Sequence, residues 1–265
     1  MDKVCLTFLL TSFFVFTSFG QKKKDSNLKK AIICLTYDDG LESELNIAIP
    51  QLDSFGLKAT FFLNSIHPHP RTVLGWTNAA KGGHELANHT LFHACPGKYG
   101  WDKTIAIENY SVDRMITEIK TESALLALLD PSRKERTFAF PCNNFLIGDI
   151  DYISIIHKLG LIKYARAGGD STSIITDFKN LNSLKVPSWH VWEGTTLSEL
   201  IAFAEKVKKV GGMGIYQFHD VDGQLFSISS ETHKAFLQYL KMHQDKYWVT
   251  TFSEAMDFVT KPQAK

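Results

Sequence analysis

The chain has 265 residues, 44% of them hydrophobic, 12% aromatic and 22% charged, a globular composition that excludes a disordered, collagen-like or coiled-coil protein. The 29 basic and 28 acidic residues give a net charge of +1, distributed unevenly: residues 21–30 carry a local +4, which leaves the body from Ala31 onward at −3. A slightly acidic body is a poor ligand for a phosphate backbone, so no nucleic acid partner is expected.

Met1–Lys3 is a short charged head, and the stretch to Phe19 is almost entirely apolar. Ser18 and Gly20 stand at the −3 and −1 positions of a cut before Gln21, so residues 1–20 read as a secretory signal peptide and the protein as exported, to a periplasm or beyond. The competing reading is a membrane anchor, for which the run is short. Cys5 lies too early to be a lipid-attachment cysteine. No second run of spanning length follows, so no membrane association is expected after cleavage. The lysine-rich segment 21–30 reads as a solvated leader, residues 31–260 as one domain and 261–265 as a tail.

Ala31–Tyr37 is a near-continuous apolar run, the pattern of a strand buried on both faces. Leu45–Phe55 has helical spacing and stops at Gly56. Strands are predicted at Ala59–Leu63 and at Glu85–Asn88. Val112, Met115, Ile116, Ile119 and Leu126 mark one face of a long helix, followed by a strand at Thr137–Phe140. Thr196 and Glu199 have capping-box spacing ahead of a helix carrying Leu200, Phe203, Ala204, Val207 and Val210. Gly211-Gly212 closes that helix, Met213–Phe218 is another buried strand, and a helix around Phe236, Leu237 and Leu240 leads to a strand at Trp248–Thr250. This alternation argues for parallel βα units in a single domain, either a barrel or a doubly wound sheet, with chemistry at the C-terminal strand ends.

The polar residues that follow strands fit that rule. Asp38-Asp39-Gly40 closes the first strand, and adjacent carboxylates at a buried strand end call for a cation; an Asp-Gly turn with one capping carboxylate is the bland alternative. His89 and His93 are four apart, on one face if the segment is helical, and such a pair with a carboxylate suits one tetrahedral metal with an open position for water. His67, His69 and His84 read as loop or turn residues, and His157, His233 and His243 as solvent-facing residues of helices. Trp101, Trp189 and Trp192 are candidates for stacking on sugar rings, with packing as the equal alternative. After cleavage three cysteines remain; Cys34 reads as a buried hydrophobe, and an oxidising compartment would permit a Cys95–Cys142 bridge.

With these residues in view, the chain resembles the polysaccharide deacetylases (carbohydrate esterase family 4, the NodB-homology domain). LTYDDG at 35–40 is similar to the first family motif, GHELANHTLFH at 83–93 to the second, FAFPCNN at 138–144 to a variant third and YQFHD at 216–220 to the last. The resemblance implies a single distorted (β/α) barrel with parallel strands and outer helices. It implies a metal-dependent deacetylase acting on N-acetyl or O-acetyl groups of an acetylated polysaccharide or oligosaccharide, and a monomer is expected. Carried over by position, Asp38 is the base and His219 the acid, while Asp39, His89 and His93 hold one divalent metal, zinc first and cobalt or nickel as alternatives. Pro141, Cys142 and Trp189 are the substrate-binding candidates, with the Cys142 N–H at the oxyanion.

Two departures from the family pattern shape the expectations. Many members carry an arginine in the third motif that pairs with the base, whereas Phe138-Ala139-Phe140 offers no cation, and Arg133, Lys134 and Arg136 lie upstream. Asp38 is therefore expected to stay ionised only in the field of the metal. No acid precedes Trp189, so the partner of His219 is unassigned, with Asp170 and Asp222 as guesses. The missing arginine motivates one rival reading, a sugar-binding module without turnover. A metal-dependent phosphatase is a remoter one, because no phosphate cradle stands beside Asp38.

Overall fold

The computed structural model describes residues 30–65, 70–100 and 102–261. The predicted signal peptide, the leader up to Lys29, His67, His69, Trp101 and the last four residues lie outside the described residues.

The chain opens with β1 (Ala31–Asp38), buried along its whole length, and a π-helical turn at Glu44–Ala48 that continues as α1 (Ile49–Ser54). β2 (Thr60–Leu63), α2 (Pro70–Lys81), β3 (Glu85–Asn88) and the 18-residue α3 (Val112–Leu129) follow. β4 (Phe138–Ala139) precedes a small antiparallel hairpin of β5 (Leu146–Ile147) and β6 (Ile150–Asp151), then α4 (Ile153–Lys158). β7 (Ala165–Arg166) and β8 (Trp189–His190) have no helix between them. The chain closes with α5 (Leu197–Val210), β9 (Met213–Phe218), α6 (Ser230–Met242), β10 (Tyr247–Thr250) and α7 (Phe252–Thr260).

The large sheet runs β7-β4-β3-β2-β1-β9-β8 with every strand pair parallel. β1 carries β9 along one edge, while its other edge is shared, Ala31–Cys34 pairing with β10 and Thr36–Asp38 with β2. The outer ends approach each other at a single bridge, Arg166 to Val186, just ahead of β8. The sheet thus curls into the distorted (β/α) barrel, irregular where β10 wedges in and where the β7–β8 crossover lacks a helix.

The helix ends follow local chemistry. Thr196 and Glu199 form the reciprocal capping box of α5, and Gly211 ends it at φ 63°, a left-handed conformation that costs glycine little. Ser111, Ser229 and Thr251 cap α3, α6 and α7 with their hydroxyls. At the N-terminal end of the barrel, buried Glu85 accepts from the Thr60 and Thr137 hydroxyls and from the Ser253 N–H, tying β2, β4 and α7 together. Arg136 bonds the Leu126 and Asp130 carbonyls at the C-terminal end of α3, and Arg133 reaches Ser253. Both arginines are structural ties.

One histidine differs from expectation, and a second keeps its expected place in a loop but is buried. His233 is fully buried on α6: its Nδ1–H donates to Gln51 Oε1, so its Nε2 accepts from the Tyr37 hydroxyl, each at 2.6 Å. His84 is buried too, accepting from the Ala59 N–H and meeting Asp53. In both cases a neutral imidazole joins two elements of the core, a role that spacing alone does not reveal.

Candidate active site

β1, β3, β4, β7, β8 and β9 end in one cleft of about 320 Å³, within the usual range of small-molecule sites, ~300–1,000 Å³. The parallel register makes this unavoidable, since Asp38 of β1 pairs with Phe62 of β2, Ala139 of β4 with Arg166 of β7, and His190 of β8 with Gln217 of β9. Asp38, His190 and Gln217 at the strand ends, and His89, Phe140 and His219 just past them, thus come to one rim.

Asp39 follows β1 at φ 86°, a strained conformation for a residue with a Cβ, held by its N–H donating to the Phe62 carbonyl. Its carboxylate accepts from Asn64 Nδ2 at 3.0 Å and lies 3.7 Å from His89 Nε2 and 3.4 Å from His93 Nε2. His89 donates Nδ1–H to the Ala139 carbonyl at 2.9 Å, which fixes the tautomer and leaves the Nε2 lone pair towards Asp39. Burial pushes the His89 imidazole down to about 4, so it is neutral and able to donate to a metal.

The segment His89–His93 is a turn and not the helix on which the i, i+4 argument relied. Thr90 and His93 take positive φ, 62° and 52°, and the turn is pinned by the Thr90 N–H to Asn88 Oδ1 and the His93 N–H to Thr90 Oγ1. The two rings still meet, with centroids 4.7 Å apart. One ligand atom each from Asp39, His89 and His93 lies within 4.8 Å of the others. One carboxylate and two imidazoles are a donor set that fits zinc and tolerates cobalt or nickel.

Asp38 is 1% exposed and does have a cation. Arg166 Nη2 bonds both of its oxygens, at 2.8 and 2.6 Å, and Gln217 Nε2 donates to Oδ2 at 3.0 Å. Burial alone would raise the Asp38 carboxyl; the Arg166 charge, with His89 and His219 behind it, outweighs burial and holds the group below the usual carboxylate range. The expectation that only a metal could keep Asp38 ionised is therefore overturned. Arg166 lies over the Phe62 ring and donates to Ser188 Oγ, which in turn donates to the Ala167 carbonyl. Behind the acid pair, burial drives the Glu44 carboxyl far up, so it adds no negative charge.

His219 lines the same cleft, its Nε2 3.9 Å from Asp38 Oδ2. Its buried Nδ1 has no hydrogen-bond partner among the described residues. Asp170 and Asp222 are not its partners: Asp170 binds the Thr172 N–H and Asp222 the Ser230 N–H, each in its own turn. Asp220 is likewise a turn acid, accepting from the Gln224 and Leu225 N–H groups and from the Ser43 hydroxyl. The neighbour of His219 is instead His190, 4.8 Å away between centroids, stacked on Trp192 at 3.8 Å and pushed down to about 4 by burial and by the His219 charge.

Trp189 is not a cleft residue. It is 7% exposed and packs on Phe203 and Tyr216 beneath α5, because alternation along β8 turns it away from the face that His190 occupies. Trp192, 54% exposed, lines the cleft with Phe226 and Tyr99. Pro141 is buried at the start of a 3-10 turn, and Cys142, at φ 50° in that turn, lines the cleft. Cys142 is bonded to Cys95, with a Cα–Cα separation of 5.6 Å, and among the described residues Cys34 is the free thiol, buried. Arg166, Gln217 and His190 were missed from sequence. Each lies within a strand at or next to its C-terminal end, and two of those strands are only two residues long.

The family model for polysaccharide deacetylase matches residues 25–160. No curated protein matches the chain in sequence. Among solved structures, a family 4 acetyl xylan esterase from Clostridium thermocellum, in complex with a cobalt ion, is 18% identical with a TM-score of 0.51, covering 86% of this chain and 91% of that one. The catalytic domain of a peptidoglycan N-acetylglucosamine deacetylase from Eubacterium rectale is 17% identical with a TM-score of 0.54, covering 84% and 90%. A family 4 pseudoenzyme from Bacillus anthracis is 16% identical with a TM-score of 0.55, covering 86% and 66%. Identities this low establish a shared fold.

Proposed function

Because the chain belongs to the polysaccharide deacetylase family, we propose that it is an exported, metal-dependent hydrolase that removes N-acetyl or O-acetyl groups from a polysaccharide or oligosaccharide. The observation that carries this reading is the convergence of Asp39, His89 and His93 beside an Asp38 held ionised by Arg166. Asp39, His89 and His93 would hold one divalent ion, with zinc preferred by the donor set. When bound, such an ion supplies an acidified water and polarises an acetyl carbonyl.

The remaining steps belong to the chain's own residues. Asp38, kept as a carboxylate by Arg166 and Gln217, takes the proton of the attacking water. The Cys142 backbone N–H, on the turn lining the cleft, is offered to the oxyanion. His219 gives a proton to the departing sugar nitrogen or oxygen as the acyl bond breaks, releasing acetate. Trp192 and Phe226 form an apolar wall against which a pyranose ring can lie.

Residues 31–260 form the catalytic unit in this reading, with an acetylated glycan as partner and a monomer as the working form. The signal-like segment before Gln21 and the Cys95–Cys142 bridge both support export to an oxidising compartment. Among the described residues no helix is long and apolar enough to cross a membrane. The rival sugar-binding module drew its support from a missing base partner, a ground that Arg166 removes. Acetate release from chitooligosaccharides, peptidoglycan fragments and acetylxylan, with and without chelator, tests the proposal. Sugar binding without acetate release in any divalent metal would refute it.

A further inference from the structure

His93 stands between two sets of metal-ligating atoms. Its Nε2 faces Asp39 at 3.4 Å, and its Nδ1 faces Cys95 Sγ at 3.5 Å. Cys95 is bonded to Cys142, so His93 Nδ1 and the two sulfurs form a second compact cluster with ligand atoms within 4.8 Å of one another. While the sulfurs are bonded to each other, neither is a thiolate, and His93 Nδ1 is the cluster's one strong metal donor.

We propose that reduction of the Cys95–Cys142 bridge opens a second metal site, made of two thiolates and His93 Nδ1, for thiophilic divalent ions such as zinc, cobalt or cadmium. A dithiol supplies two electrons and two protons to the disulfide and is itself oxidised to a disulfide; each cysteine thiol then releases its proton as its metal–sulfur bond forms. Two sulfurs on one tetrahedral zinc lie about 3.8 Å apart, from Zn–S bonds of ~2.3 Å. That spacing is compatible with Cα atoms already held 5.6 Å apart. Cys142 lines the cleft, so a small reductant has a path to the bridge.

The consequence is a competition for one imidazole. With the bridge intact, only the Asp39–His89 side of His93 offers strong donors. With the bridge reduced, a thiolate pair competes for the same ring and can draw a thiophilic ion out of the position that hydrolysis requires. The bridge would therefore tie metal placement to the redox state of the compartment.

The test is a cobalt titration of the full chain, oxidised and after dithiol reduction with anaerobic removal of the reductant. Reduced protein should gain the intense near-ultraviolet thiolate-to-cobalt charge-transfer band, and oxidised protein should lack it. Cys142→Ser should abolish the band after the same treatment. Cys34→Ala should retain it, which places the donor thiols at the bridge. His89→Ala weakens only the Asp39 side, so it should also retain the band, and this separates the present inference from the deacetylase reading. Absence of the band in reduced wild type, its persistence in Cys142→Ser, or loss of native circular dichroism on reduction would each overturn the proposal.

Discussion

Replacing Arg166 by methionine keeps much of the side-chain length and removes the charge that sits on Asp38. Arg166 and Asp38 are each 1% exposed, and Arg166 Nη2 contacts both carboxylate oxygens within 2.8 Å. Breaking a buried pair from one side strands the other charge, which costs about 3–5 kcal/mol. The Gln217 hydrogen bond survives and recovers part of that loss, so the lower end, about 3 kcal/mol, is expected at pH 7. The sign with pH follows from linkage. Wild-type Asp38 has a lowered folded pKa, so its contribution is fully present above the unfolded value near 3.9 and is lost as pH falls through the folded value. In the variant the folded pKa lies above 3.9, so the loss grows as pH rises from about 4 towards that pKa. The stability gap should therefore be widest at neutral pH and narrow towards pH 4. Urea unfolding of metal-free protein at several pH values measures it, and metal-free conditions isolate the arginine from any bound ion. A gap below about 1 kcal/mol at pH 7, or one that does not change with pH, would refute the reasoning.

Three further outcomes are expected. In metal-free wild type the Asp38 carboxyl should remain ionised below the usual range because its cation is built in; a carbon-13 titration of the carboxyl showing an ordinary or raised pKa contradicts this. In the oxidised protein, His89→Ala and His93→Ala should each abolish metal binding and acetate release while leaving the barrel folded, whereas Asp38→Asn should bind metal normally and lose turnover by at least ~10²-fold; calorimetric metal titration and acetate assays separate the two classes. Trp189→Ala should destabilise by about 3–5 kcal/mol as a core deletion, and Trp192→Ala should leave stability intact and raise KM by up to about tenfold.

The long buried strands were legible in the sequence because β1 and β9 are continuous apolar runs, and β3 and β9 fall on the residues their patterns mark. β7 and β8 were not, because two residues carry no periodicity; register with β4 and β9 creates them. That loss hid Arg166, which stands between Ala165 and Ala167 and looks like a surface residue until β7 is recognised. The metal-type cluster was legible for a different reason. Residue chemistry marked Asp39, His89 and His93, although the helix invoked for the histidine pair is a turn closed by positive φ at Thr90 and His93. The cation that Phe138-Ala139-Phe140 does not offer comes from elsewhere in the barrel. Ala139 of β4 and Arg166 of β7 are register partners, so a cation one strand along the barrel from the third motif meets Asp38. In the proposed reaction Asp38 works as a carboxylate, which calls for a positive charge at that point of the rim, and any strand that ends there can supply it.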